Sequence, residues 1–317
     1  LTARAGDPSA SPVGARGQVE LTDVTLRDGL QVESRLLSLD EKASLFDALV
    51  PCGYARLEVT SFVNPKWLPQ FADAESLAPR LAAVTGRPEL MAFVPNEKGL
   101  ERLLPLPIEW AAAFVAVTEA FNKKNVNMTV DESLQGLERT CRRAREAKRR
   151  IRVYISTVFG CPYQGRVAAA DRKPVFERVA AMAPDEIALG DTIGVATPAQ
   201  VQEVLRELAA NYPVERTALH FHNTYGLAVA SAFAGYQSGV RKFDGATGGI
   251  GGCPYARGAT GNIATEELAY AFFREQCYPA FASAAFAAAL DRLRSLGLPI
   301  RSQLGEVQGK GGQWYGV

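Results

Sequence analysis

Histidine is nearly absent from this 317-residue chain: there are two, His220 and His222, standing two apart. Cysteine is scarce too. Cys52, Cys141, Cys161, Cys253 and Cys277 form no CxxC pair. An odd number without paired spacing argues against a disulfide framework or a zinc knuckle and fits a reducing compartment. Neither sign of charge is in excess, since 35 Lys and Arg stand against 34 Asp and Glu. Electrostatics therefore give no reason to expect nucleic acid or a membrane surface as a partner. No apolar run approaches the roughly 18–20 residues that span a bilayer, so a cytoplasmic protein is the expectation.

What is present is regular alternation. Strand-like apolar runs occur at 19–26, 55–62, 89–95, 110–118, 151–158, 186–192, 216–222 and 242–249, each followed by a helical pattern. Mostly apolar strands, rather than strictly alternating ones, indicate that both faces are covered. Eight βα units over about 250 residues predict a (β/α)₈ TIM barrel, with an open doubly wound sheet as the alternative. FASAAFAAALDRLRSLG adds one C-terminal helix. Asp40 and Asp131 read as helix-start signals, and Gly53 as a stop. Residues 1–17, with no apolar period, read as a disordered leader. A trimmed transit peptide, implying the mitochondrial matrix, is the alternative. Residues 18–300 form the predicted barrel and 301–317, rich in glycine, a loose tail.

The two histidines end the seventh strand, and strand geometry turns both imidazoles to one side. A lone histidine is most often a satisfied core residue; a same-face pair at a strand C-terminus is a metal-site candidate. Arg27-Asp28-Gly29 ends the first strand. Its bland reading is a turn with an ion pair, but a closed barrel separates strands 1 and 7 only by strand 8. Asp28, His220 and His222 can then converge on the C-terminal rim, where barrel active sites lie. Oxygen and imidazole ligands suit Mg²⁺ or Mn²⁺, and Zn²⁺ and Fe²⁺ share part of that preference. Glu58, a carboxylate in an apolar strand, needs a partner, and Arg27 on the neighbouring strand is the evident one.

GGIGGCPYARGATGN (248–262) has the glycine density of a loop that closes over substrate, and Cys253 within it is a candidate acid or base. Asn262 is a helix cap, a metal ligand, or both. RRAREAKRR (142–150) reads as a solvated helix end at the opposite face of the barrel. Lys123 and Lys124, after strand 4, lie on the rim side and are candidates for the phosphates of a bound substrate.

LRDGLQ (26–31), EVTSFVNPKWLPQ (58–70), VPNEKG (94–99), NKKNVN (122–127), GCPYQG (160–165), LGDTIGVATP (189–198), HFHNTYG (220–226) and the 248–262 segment together resemble 3-hydroxy-3-methylglutaryl-CoA lyases, in order, from about residue 19 to 275. The resemblance implies a metal-dependent retro-Claisen cleavage of an acyl-CoA. It places a divalent metal on Asp28, His220, His222 and Asn262. Arg27 would stabilise the thioester enolate, Glu58 and Gln31 would support the site, Asp191 would lie near the substrate hydroxyl, and Cys253 would be the loop acid. Asp28 or His220 would be the base, and the protein a homodimer. TDVTLRDG replaces the usual EVGPRDG and is closer to condensing relatives. Ala188 replaces a common Ser and Asn223 a common Asp. With both expected on the rim, they predict weak activity on 3-hydroxy-3-methylglutaryl-CoA and preference for a related substrate. The rival readings are a Claisen condensing enzyme of the isopropylmalate or citramalate synthase type and a non-catalytic barrel scaffold.

Overall fold

The structure, a computed structural model, describes residues 17–252 and 261–315. Eight parallel strands close on themselves in chain order: β1 (Glu20–Asp23), β2 (Arg56–Ser61), β3 (Glu89–Phe93), β4 (Trp110–Ala116), β5 (Arg150–Ser156), β6 (Glu186–Asp191), β7 (Thr217–Phe221) and β8 (Lys242–Gly245). Every expected strand is present, and β8 pairs with both β7 and β1. The open-sheet alternative is excluded by that closure.

The helices outside the barrel are α1 (Leu39–Leu49), α2 (Ala74–Ala82), α3 (Glu97–Leu103), α4 (Glu119–Val126), α5 (Val130–Glu146), α6 (Ala169–Ala181), α7 (Pro198–Ala209), α8 (Ala228–Gln237) and α9 (Thr265–Arg274). They are followed by α10 (Ser283–Ser295), the expected extra helix, and α11 (Gln303–Gly309). Ser38 and Thr129, not Asp40 and Asp131, cap α1 and α5, each in a reciprocal box with the Glu three residues on. The two aspartates fall in the first turn, where the helix dipole favours negative charge. Lys123 and Lys124 lie on α4, the short helix that follows β4. The basic run 142–150 does end α5 and enter β5, away from the rim. Among the described residues, no helix is long and apolar enough to cross a membrane.

The barrel interior is layered. Met91, Trp110, Ala112, Tyr154, Ala188 and Ala218 form an apolar cluster, the small side chains making room for the large ones. Toward the N-terminal ends of the strands, Arg56, Arg152, Glu186 and Lys242 form a buried ionic cluster: Glu186 lies 2.6 Å from Arg152, 3.0 Å from Arg56 and 2.8 Å from Lys242.

The C-terminal segment is not loose. Trp314 is buried edge-on to Phe281, and Arg294 donates to the Gly305 carbonyl at 2.6 Å. Glu266, at the start of α9, ties this segment to the barrel. Its carboxylate accepts Gly248 N–H at 3.0 Å and bonds the Ser302 hydroxyl, while Arg301 N–H donates to the Gly248 carbonyl at 2.8 Å.

Burial pushes the Glu266 carboxyl from its usual 4.5 up to about 7, against those hydrogen bonds. The folded state therefore keeps a proton that the unfolded chain releases above pH 4.5. Stability from this group is full below that pH and is lost as pH rises through about 7. Glu266→Gln should accordingly gain about 3 kcal/mol on the parent chain between pH 5 and pH 8 in urea denaturation. A pH-independent difference between the two would contradict this.

Candidate active site

β1 ends at Asp23, whose carboxylate accepts Thr25 N–H at 2.9 Å and, through its other oxygen, the Thr247 and Thr265 hydroxyls at 2.9 and 2.8 Å. Thr25 Oγ1 accepts Thr247 N–H at 2.7 Å. The Asp and Thr of TDVTLRDG thus latch β1 to the segment after β8; neither is spent on substrate. The chain then makes a five-residue turn of π-helical spacing, Thr25–Gly29, with Gly29 N–H bonded to the Val24 carbonyl at 3.0 Å. That wide turn carries Arg27 and Asp28 over the barrel mouth, a setting in which π-type turns often serve function.

Arg27 is held as expected. Its Nε donates to Glu58 Oε2 at 2.7 Å, and its Nη1 lies 2.5 Å from Asp28 Oδ1. The guanidinium sits over the rings of Phe93 and Tyr154, 5.2 and 5.5 Å from their centroids. Burial disfavours its charge, but Glu58 and Asp28 outweigh this and raise its pKa, so it stays a cation. Burial also pushes the Glu58 carboxyl up, against the pull of Arg27.

Asp28, His220 and His222 converge. Their ligand atoms all lie within 4.8 Å of one another, with His220 Nε2 and His222 Nε2 at 3.9 and 3.7 Å from Asp28 Oδ2. Burial favours the neutral Asp28 carboxyl, yet Arg27 and the two histidines hold it down to about 2. Asn262 arrives by a backbone pairing with His222, flanked by Asn223 N–H to the Gly261 carbonyl at 3.1 Å. Its Nδ2 donates to Asp28 Oδ2 at 2.9 Å, and its buried Oδ1 has no hydrogen-bond partner among the described residues. Ala264, not Asn262, occupies the cap position of α9. Gly251 makes this packing possible: its φ is +98°, and a Cβ there would lie 2.8 Å from Asn262 Nδ2 and 2.9 Å from the Asp28 carbonyl.

A carboxylate and two imidazoles converging on one point, with the amide of Asn262 bonded to that carboxylate, form a donor set for a divalent cation. A buried acceptor without a donor is costly unless a cation meets it. The residues present therefore fit a metal.

Other expected residues are placed differently. Asp191 reaches the rim, but its two oxygens accept Val195 and Ala196 N–H at 3.0 and 2.9 Å, which makes it the holder of the β6–α7 turn. Burial pushes it up to about 6. Gln31 is half-buried just past the turn, and Lys123 and Lys124 are exposed. Cys253 lies outside the described residues. Ala188 is not on the rim: it is sealed in the apolar cluster, paired with Ala218, and Gly190 instead faces His220 in the register. Asn223 Oδ1 accepts Ala228 N–H at 3.2 Å, a bond that an Asp would also make.

Three residues escaped the sequence reading. Asp244, on β8, faces His220, with its Oδ2 at 3.2 Å from Nδ1. Arg152 lies 2.9 Å from Asp244, and Tyr154 stands edge-on to the His220 ring. The signal available was KFDG itself: a charged residue two places from a strand end, in register with a histidine.

Fold and site together define a (β/α)₈ barrel with a candidate metal site at its C-terminal rim. The chain belongs to the HMGL-like family, whose pattern matches residues 18–294. It is 41% identical over 253 residues to a hydroxymethylglutaryl-CoA lyase of Bacillus subtilis, covering 80% of this chain and 84% of that protein. It is 40% identical over 255 residues to a 3-hydroxy-3-isohexenylglutaryl-CoA/hydroxymethylglutaryl-CoA lyase of Pseudomonas aeruginosa, with the same coverage. A crystal structure of an HMG-CoA lyase from Acinetobacter baumannii with coenzyme A and 3-methylmalate superimposes with a TM-score of 0.86 at 30% identity, over 95% of this chain and 97% of the other.

His222→Ala should weaken divalent-metal binding at least about tenfold while the circular dichroism spectrum is retained. Calorimetry or EPR with Mn²⁺ measures this, and unchanged affinity would remove His222 from the ligand set.

Proposed function

We propose that this chain is a divalent-metal-dependent acyl-CoA carbon–carbon lyase that cleaves 3-hydroxy-3-methylglutaryl-CoA to acetoacetate and acetyl-CoA. One observation carries the reading: an Asp–His–His–Asn donor set and a carboxylate-held arginine share a single buried cluster. Breaking a C–C bond beside a tertiary hydroxyl needs a proton acceptor at that hydroxyl and a cation where the thioester enolate appears. Both are here.

Asp28, His220, His222 and Asn262 would hold Mg²⁺ or Mn²⁺, whose Lewis acidity lowers the pKa of the substrate hydroxyl. His220 has its Nδ1 turned to Asp244 and its Nε2 in the donor set, whereas the Asp28 carboxylate keeps lone pairs beyond the one a metal would take, so Asp28 is the base we assign. As the proton leaves, the oxygen electron pair forms the ketone of acetoacetate. The C2–C3 bond breaks, and its electrons pass to the thioester as an enolate. Arg27 keeps N–H groups beyond those bonded to Glu58 and Asp28, and it meets the enolate oxygen already oriented. Protonation of the enolate carbon, which we assign to Cys253, gives acetyl-CoA. Lys123 and Lys124 present cations on the same face, where coenzyme A phosphates would meet them. Asp191 acts through the turn it holds rather than as a relay. We further propose a homodimer, which light scattering decides.

The weak activity expected from Ala188 and Asn223 loses its ground in the structure. Ala188 lies inside the apolar cluster, and Asn223 is engaged with α8. The condensing alternative loses support too, since Asp23 and Thr25 serve a latch.

A second reading concerns the C3 substituent. Val32, Leu36, Trp67, Tyr225 and Leu227 are all exposed on segments that follow strand C-termini, Trp67 to 78%. An apolar rim of this kind would suit a longer alkyl or alkenyl group than methyl. Comparing kcat/KM for 3-hydroxy-3-methylglutaryl-CoA and its 3-isohexenyl analogue tests it; a methyl preference above about tenfold would reject it.

Arg27→Gln should lower kcat on 3-hydroxy-3-methylglutaryl-CoA by roughly 10²–10³ with a modest change in KM, because the charge it meets exists only near the transition state. Near-normal kcat with raised KM would make Arg27 a binding residue instead.

A further inference from the structure

A continuous chain of buried polar contacts joins the two halves of the site, and the chemistry above leaves it unused. Glu58, which holds Arg27, accepts from the Tyr154 hydroxyl at 3.4 Å. That hydroxyl accepts from Arg152 Nη1 at 3.0 Å. Arg152 Nη1 lies 2.9 and 3.0 Å from the two oxygens of Asp244, whose Oδ2 is 3.2 Å from His220 Nδ1. Glu58, Arg152 and Asp244 are sealed from solvent.

The contact between Asp244 and His220 has one direction. With a guanidinium against both its oxygens, Asp244 is a carboxylate, and a carboxylate has no proton to give. His220 Nδ1 must then carry the hydrogen, and the lone pair of the neutral ring is left on Nε2. Nε2 is the atom that faces Asp28 Oδ2 at 3.9 Å. In the other tautomer Nδ1 and Asp244 would meet as two acceptors inside the barrel, while an N–H filled the metal-binding point.

We infer that Asp244, backed by Arg152, is a positioning residue that fixes His220 in the Nδ1–H tautomer and presents its Nε2 lone pair to the donor set. Its effect on metal affinity rests on the metal reading above; the tautomer does not. A structural role alone explains less. Arg152 already has a carboxylate partner in Glu186 at 2.6 Å, and a plain core ion pair would leave the imidazole tautomer undetermined.

The composition makes the test unusually direct, because only two imidazoles exist in the whole chain. In chelator-treated, ¹⁵N-histidine-labelled protein, a two-bond ¹H–¹⁵N correlation spectrum shows each tautomer, and His222→Gln identifies His220 by elimination. The expected result is His220 as Nδ1–H. Asp244→Asn, whose amide can donate to Nδ1, should move it toward Nε2–H and weaken Mn²⁺ binding about 10–100-fold. An Nε2–H ring in the parent protein overturns the inference even if the variant does not fold. So does a folded Asp244→Asn protein with the parent tautomer and Mn²⁺ affinity within about twofold. A parent protein with the Nδ1–H ring that binds no divalent metal supports this assignment and counts against the metal reading.

Discussion

Arg27 is a guanidinium almost without water, and the rest of the site follows from having to pair it. Removing an ion of this size from solvent costs several kcal/mol even after relaxation, so the cation persists only where carboxylates meet it closely. Glu58 and Asp28 do so at 2.7 and 2.5 Å. With both in place, Asp28 Oδ2 is left facing the two histidines and Asn262. One buried charge therefore sets the relation between the group that meets the enolate and the groups that would hold the metal.

The same rule runs deeper into the barrel. Arg152 is fully buried and is balanced by Glu186 and Asp244, and Glu186 in turn pairs with Arg56 and Lys242. Breaking such a pair leaves an uncompensated charge and costs on the order of 3–5 kcal/mol. The interior under the site is thus stiff for electrostatic reasons. That stiffness is what transition-state stabilisation requires, because donors already in position need not reorganise as charge develops.

How much of this was legible depended on the range of the information. Eight strands could be read because each is a local apolar run, and barrel closure followed from their number. Asp28, His220 and His222 could be assembled because closure alone brings β1 and β7 within one strand of each other. Glu58 could be matched to Arg27 because adjacent strands are neighbours in any parallel βα fold. Asp244 and Arg152 were hidden, since their meeting depends on the register of β5 and β8 across the lumen, which no local pattern records. The hold of Asp191 on the β6–α7 turn was hidden, because a carboxylate ending a strand looks the same whether or not it also bonds its own turn. Ala188 was misplaced by one layer, a matter of two residues along β6. The C-terminal segment looked loose from its glycines, whereas Ser302, Glu266 and Trp314 anchor it through contacts distant in sequence.

The central claim is that Asp28, His220, His222 and Asn262 form one divalent-metal site beside Arg27. Crystals grown with Mn²⁺ and measured above its absorption edge test this most directly. The account predicts one dominant anomalous peak bonded to Asp28, to the Nε2 atoms of both histidines and to the Asn262 amide oxygen, which is orphaned without it. A cluster empty of anomalous signal at saturating Mn²⁺, or a dominant peak elsewhere in the molecule, would contradict it.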